Sequence, residues 1–266
     1  MTTMKLMLKA RNVLITALGA GLLLAGATTA QAAESNATQK PTIVLLHGAF
    51  ADGSSWSQVT GRLQRDGYKV VAPAVPLRGT VSDTPYLSGV LAGIPGSKVL
   101  VGHSYGGALV SELADQSGVK SLVYVAAFIP QAGETLGALN EQFPGSELGP
   151  NLVPISYPGG VDLALNTQTA GPVLGADLPA SDGAVFLAAQ RPVSAVAFTE
   201  PVEKTAPAAL PKYAVIPSGD KAIAPDAERF MAKRAGATIT EIPGASHLVA
   251  LSQPAAVTKV IERAAR

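Results

Sequence analysis

KVLVGHSYGGALVS, residues 98–111, runs from an apolar segment, Val99-Leu100-Val101, through Gly102-His103-Ser104-Tyr105-Gly106 into a segment of helical composition. This is a Gly-x-Ser-x-Gly pattern between a strand and a helix, the setting in which the serine occupies a sharp, strained turn with its hydroxyl above the strand ends. Glycines at 102 and 106 remove side chains that would collide in so tight a turn. The amide after the serine opens the helix, where backbone donors lack internal partners and favour negative charge. One turn therefore offers a nucleophile, Ser104, and half of an oxyanion site at Tyr105. The plainer alternative is a glycine-rich turn whose serine only caps the helix.

Outward from this turn the chain alternates. Thr42 to Leu46 is a β-branched and aliphatic run that ends at His47-Gly48-Ala49-Phe50, as expected of a strand buried on both faces. A helix is expected over 55–67, with Trp56, Val59 and Leu63 at helical spacing, followed by a strand over 68–74 and a helix over 84–93. The strand at 98–102 carries the turn, a helix follows over 105–116, and 121–127 is another apolar strand. From Phe128 to about Pro207 the strand rhythm stops and Pro and Gly multiply, which marks an inserted cap with helical segments around 133–142 and 181–190. The rhythm returns with a strand at 213–216, a helix over 225–235, a strand over 238–242 and a closing helix over 253–265. The expectation is an α/β fold with a mostly parallel, doubly wound sheet. Its core would be residues 41–130 and 208–266, with a mainly helical cap at 131–207.

A serine needs a base, and the base needs a carboxylate to hold its tautomer and stabilise its cationic form. Three histidines are present. His103 adjoins the serine, and its side chain is expected to point away from the site. His47 ends the first strand and reads as a packing and hydrogen-bonding residue. His247, in the small-residue loop PGASH after the last strand, is the base candidate. Asp220, in the turn Ser218-Gly219-Asp220 after the 213–216 strand, fits the order serine, acid, histidine. Asp226 competes, although it opens a helix, where an acid has an ordinary electrostatic reason to be. The second oxyanion donor is placed at the Ala49 amide. Scattered histidines, no cysteine and no carboxylate cluster make no metal site, and no cofactor is implied.

Composition bounds the rest. The chain has 266 residues, 47% hydrophobic and 15% charged, with a formal net charge of +1 and no basic run, which argues against a nucleic-acid partner. Lys5, Lys9 and Arg11 precede an apolar run over 13–27 and Ala30-Gln31-Ala32, the pattern of a secretory signal peptide over 1–32. That run is shorter than the ~20 residues a membrane-spanning helix needs. A mature chain from Ala33, with a short tail at 33–40 and no stable membrane anchor, would be secreted or periplasmic. Its formal charge would be −2. Without cysteine there is no disulfide in that compartment.

Jointly, LLHGAFADGSSW, VVAPAVPLRG, VLVGHSYGGALV, LVYVAAFIPQAGET, SGDKAIAP and GASHLV resemble the α/β-hydrolase superfamily, in particular its small-cap branch of methyl-ester esterases and hydroxynitrile lyases. The resemblance covers about residues 41–264 and independently implies Ser104, Asp220 and His247, with an oxyanion site at Ala49 and Tyr105. The lyases of that branch carry a threonine after the histidine that ends the first strand and a lysine after the catalytic histidine. Gly48 and Leu248 stand there instead. The expectation is therefore a carboxylic ester hydrolase acting on a small-molecule ester, with Phe50, Phe128, Phe186, Phe198 and Leu248 as pocket candidates. Alternatives are perhydrolase or lyase chemistry on the same triad, or a ligand-binding protein on a hydrolase scaffold. Nothing in the sequence fixes the oligomeric state.

Overall fold

The computed structural model describes residues 39–266. The signal peptide expected over 1–32 and the tail as far as residue 38 lie outside the described residues. The first half alternates as expected: β1 (Thr42–Leu46), α1 (Ser57–Arg65), β2 (Val70–Val71), α2 (Thr80–Ala92), β3 (Lys98–Ser104), α3 (Tyr105–Glu112) and β4 (Val119–Ala127). The inserted segment holds α4 (Leu136–Glu141), β5 (Leu152–Tyr157), β6 (Gly160–Leu165), α5 (Gly171–Leu174), α6 (Ala180–Ala188), β7 (Val193–Ser194) and α7 (Val196–Thr199). The chain returns with β8 (Lys212–Pro217), α8 (Pro225–Arg234), β9 (Thr238–Ile242), α9 (Val249–Ser252) and α10 (Pro254–Ala264).

The main sheet runs β2-β1-β3-β4-β8-β9, and every neighbouring pair is parallel. Its strands are apolar on both faces because both faces are covered. Ile43, Leu45, Val99, Val101, Val123 and Val125 face Trp56, Val59 and Leu63 of the α1 region and Val257, Val260 and Ile261 of α10. Their neighbours Val44, Leu46, Leu100, Leu122 and Tyr124 face Leu87 and Leu91 of α2, Leu109 of α3 and Met231 of α8. The alternation is the strand period of two, read off as two packed layers.

Three expectations need correction. The strand expected over 68–74 is only Val70–Val71: it is an edge strand, and Pro73 has no amide to extend the ladder. The helix expected over 84–93 begins a turn earlier, at Thr80, because Asp83 turns its carboxylate back onto the amides of Leu77 and Arg78 and fixes the entry. The inserted segment is less helical than expected. Besides α4 and α6 it carries an antiparallel sheet, β5-β6-β7. Ion pairs fasten it to the core: Arg78 grips Asp162 of β6 through both its terminal nitrogens, at 2.8 and 3.0 Å. Arg234 of α8 grips Glu134 before α4 at 2.6 and 2.7 Å.

Among the described residues, four non-glycine residues have positive φ: Phe50 (62°), Leu77 (63°), Ser104 (52°) and Ala126 (46°). Phe50, Ser104 and Ala126 lie at the carboxyl ends of β1, β3 and β4. Strain is concentrated at the sheet edge where open parallel sheets place their ligands.

Candidate active site

Ser104 ends β3 with φ 52° and ψ −120° and serves as the residue before α3. The turn is possible only because its flanks lack side chains. A Cβ on Gly102 would run into the Gly106 carbonyl, and one on Gly106 would lie 2.5 Å from the Leu46 carbonyl oxygen. The Tyr105 side chain is buried beneath α3, its hydroxyl donating to Asp83 at 2.9 Å. Neither the Tyr105 amide nor the Ala49 amide donates to a protein acceptor among the described residues. Both remain available to an oxyanion.

His247 and Asp220 are brought together by the loops after β9 and β8. The Gly219 amide donates to the Ala245 carbonyl at 2.9 Å and the Ser218 amide to Ile242 at 3.1 Å, so one loop sets the other. His247 Nδ1 lies 2.6 Å from Asp220 Oδ2, and the Asp220 side chain has no exposed surface. Its Oδ1 accepts from the Ala222 and Ile223 amides at 2.7 and 3.0 Å. With Nδ1 engaged, His247 presents Nε2 as the basic nitrogen. Asp226 is excluded by the same geometry: its carboxylate is 75% exposed and pairs with Arg229.

The other two histidines are structural. His47 accepts from the Val75 amide at Nε2 (2.9 Å) and donates from Nδ1 to the Gly48 carbonyl (2.9 Å), and burial above all depresses it to about 4. It aims the loop that carries Ala49. His103 does not point wholly away from the site. Its ring lies 4.7 Å from that of His247, and its Nε2 donates to the His247 carbonyl at 3.0 Å. Burial and the neighbouring His247 push it down to about 3. It is a neutral prop beneath His247.

Ser104, His103 and His247 share one cavity with all five apolar pocket candidates, Phe50, Phe128, Phe186, Phe198 and Leu248. No direct hydrogen bond joins Ser104 to His247. Resting acyl-transfer sites commonly hold this pair more loosely than the reacting complex does. Leu148, Leu174 and Ala222 also line the cavity and were not foreseen. The first two come from the inserted segment, where no periodic pattern distinguishes a lining residue from a packed one. The cavity is only about 10 Å³, room for a single water at most. Phe50 and Phe186 separate it from an outer cavity of about 650 Å³ beside α6, and Leu148 and Phe198 from another of about 410 Å³. Among the described residues no group of acidic, histidine or cysteine side chains could hold a metal ion.

Residues 43–260 match the model of the Alpha/beta hydrolase family. Over 113 residues the chain is 34% identical to a carbendazim hydrolyzing esterase of Nocardioides sp., a match covering 36% of this chain and 46% of that protein. It is 35% identical over 108 residues to a pyrethroid hydrolase of Sphingobium wenxiniae, covering 35% and 38%. These matches span less than half the length of either relative. Among solved structures, polyneuridine aldehyde esterase superposes with a TM-score of 0.72 at 22% identity, over 85% of this chain and 99% of that one. A pyrethroid hydrolase from Sphingobium faniae gives 0.69 at 23% identity, over 85% and 97%. At such identities the likeness is one of fold.

Proposed function

The chain belongs to the alpha/beta hydrolase family, and from that membership we propose that it is a serine hydrolase cleaving carboxylic esters through an acyl-enzyme. The observation that carries this reading is the His247–Asp220 pair, 2.6 Å apart, with His247 lining a cavity that it shares with the strained Ser104. Ser104 Oγ attacks the acyl carbon while His247 Nε2 takes its proton. Asp220 holds the imidazole and stabilises its cationic form, and the Ala49 and Tyr105 amides receive the oxyanion. His247 then protonates the leaving alcohol, and water, activated by the same base, releases the acid.

The cavity lining contains no charged residue apart from the triad itself, which favours a neutral acyl group. The names of the relatives supply two test compounds, carbendazim and a pyrethroid. Gly48 argues against lyase chemistry: a Cβ there would lie 2.8 Å from the Ser104 Cβ and 2.9 Å from His103 Nδ1, so the lyases' threonine has no place. Secretion or periplasmic export remains part of the proposal and rests on the sequence of residues 1–32 alone.

The test is hydrolysis of p-nitrophenyl acetate and butyrate by the mature protein. Ser104→Ala, His247→Ala and Asp220→Asn are expected to lose about 10³-fold or more in kcat, whereas Asp226→Asn retains activity. A wild type that neither turns over these esters nor labels at Ser104 with a fluorophosphonate refutes the reading.

A further inference from the structure

Glu228 is a buried acid that the mechanism above leaves without a task. It sits on α8 on the face that also buries Ala227, Met231 and Ala232, and it is 2% exposed. Neither carboxyl oxygen meets an N–H or hydroxyl donor among the described residues. An ionised carboxylate in that setting would be stripped of water with nothing in return. A neutral carboxylic acid needs only an acceptor for its O–H. Asp220 is that acceptor: the two side chains lie within hydrogen-bonding reach, and two carboxyl groups bond only with a proton between them. Asp220 is surrounded by donors, from Ala222, Ile223 and His247, and is suited to the charge. Glu228, which has none, is suited to the proton.

We propose that Glu228 is a positioning residue for the reaction: as a carboxylic acid it donates its O–H to Asp220 and fixes the carboxylate that holds His247. This rests on the ester-hydrolysis reading. The surroundings agree from every side. Burial first, then the Asp220 charge, hold the Glu228 acid well above the usual carboxylate range, and Glu241 on β9 adds to this. Arg229 on the same helix opposes it, but its guanidinium is spent on Glu241 and Asp226. Beyond Asp220 stands His247, with the neutral His103 behind it. Ionising Glu228 would set a second anion against Asp220 in a space closed to water, and the Asp220–His247 geometry would give way.

The decisive experiment compares wild type, Glu228→Gln, which keeps a donor, and Glu228→Leu, which keeps the volume. At neutral pH the infrared difference spectrum of wild type minus Glu228→Gln should show the C=O stretch of a protonated carboxylic acid. In p-nitrophenyl butyrate hydrolysis Glu228→Gln should keep kcat within about threefold, while Glu228→Leu loses about 30-fold or more in kcat with KM little changed. The downfield NMR proton of His247 Nδ1 should persist in Glu228→Gln and shift or broaden in Glu228→Leu. Absence of the acid band, or equal kcat for the two variants, overturns the proposal. If Glu228→Leu fails to fold, the band and the Nδ1 proton of Glu228→Gln decide. If no form of the protein hydrolyses the ester, the ester reading falls, and the same two spectroscopic signals still judge Glu228.

Discussion

Gly48 shows how closely single residues are fitted around the serine. A side chain there would press on the Ser104 Cβ, on His103 Nδ1 and on the His103 carbonyl oxygen, 3.1 Å from a Cβ. Two of those three neighbours cannot yield, since one is the Ser104 Cβ, fixed by the strained turn, and one is backbone. Gly48→Ala should therefore cost about 1–3 kcal/mol of stability, as overpacking does, and lower kcat about tenfold or more by displacing Ser104. Thermal unfolding and p-nitrophenyl butyrate kinetics check both. At this scale much was legible. Ser104, His247 and Asp220 could be read because each chemical type is rare in its loop and each loop follows a strand. The Asp220 and Asp226 alternatives could be separated only in space, by one carboxylate being enclosed and the other solvated. The structural role of His103 is legible, but its direction, towards the His247 carbonyl, is not, because it depends on how the turn is strained, which spacing does not encode. Glu228 left a fainter signal, an acid on the same helical face as Met231 and Ala232.

At the scale of elements, legibility divides between sheet and cap. The central strands announce themselves because burial on both faces demands continuous apolar runs. The hairpin β5-β6 does not: β5 is an edge strand with Pro154 inside it, exposed along most of its length, and its pattern LVPISY has no alternation to read. Its hold on the core comes from long-range pairs such as Arg78 with Asp162, which no local pattern reveals. The same region governs access. The cavity at Ser104 is narrow, about 10 Å³, and Phe186 on α6 stands between it and the 650 Å³ cavity outside. Leu187 is the one buried residue of α6, so the helix is lightly held. Phe186→Ala should join the two spaces, raising kcat/KM for a bulky ester such as a pyrethroid about tenfold relative to p-nitrophenyl acetate. An unchanged ratio between the two substrates would show that entry lies elsewhere, with the Leu148 and Phe198 side next to test.

The whole molecule carries a pH dependence set beneath the candidate active site. His47 and His103 are buried and neutral, depressed to about 4 and about 3 from an ordinary value of 6.5. The unfolded chain therefore takes up protons at these positions as pH falls below 6.5, while the folded chain does not. The stability they support is present above pH 6.5 and drains away towards pH 4, each histidine contributing a slope of about 1.4 kcal/mol per pH unit. Glu228 acts in the opposite sense. Its folded value is raised, so its contribution is full below its unfolded value of 4.5 and declines as pH rises. Between pH 4.5 and 6.5 the two histidines outweigh the one acid, and the balance of these three groups is a fall in stability on acidification. His103→Gln, which keeps a donor towards the His247 carbonyl but cannot titrate, should flatten that fall by about 1.4 kcal/mol per pH unit. Glu228→Gln should steepen it by a similar amount, because the opposing proton is gone. Urea midpoints of the three proteins across this interval measure the slopes directly. Parallel curves would mean that neither group keeps its folded protonation state through the transition. Divergence of the two variants to opposite sides of wild type would place the neutral prop and the proton-bearing acid where the geometry puts them, on either side of the His247–Asp220 pair.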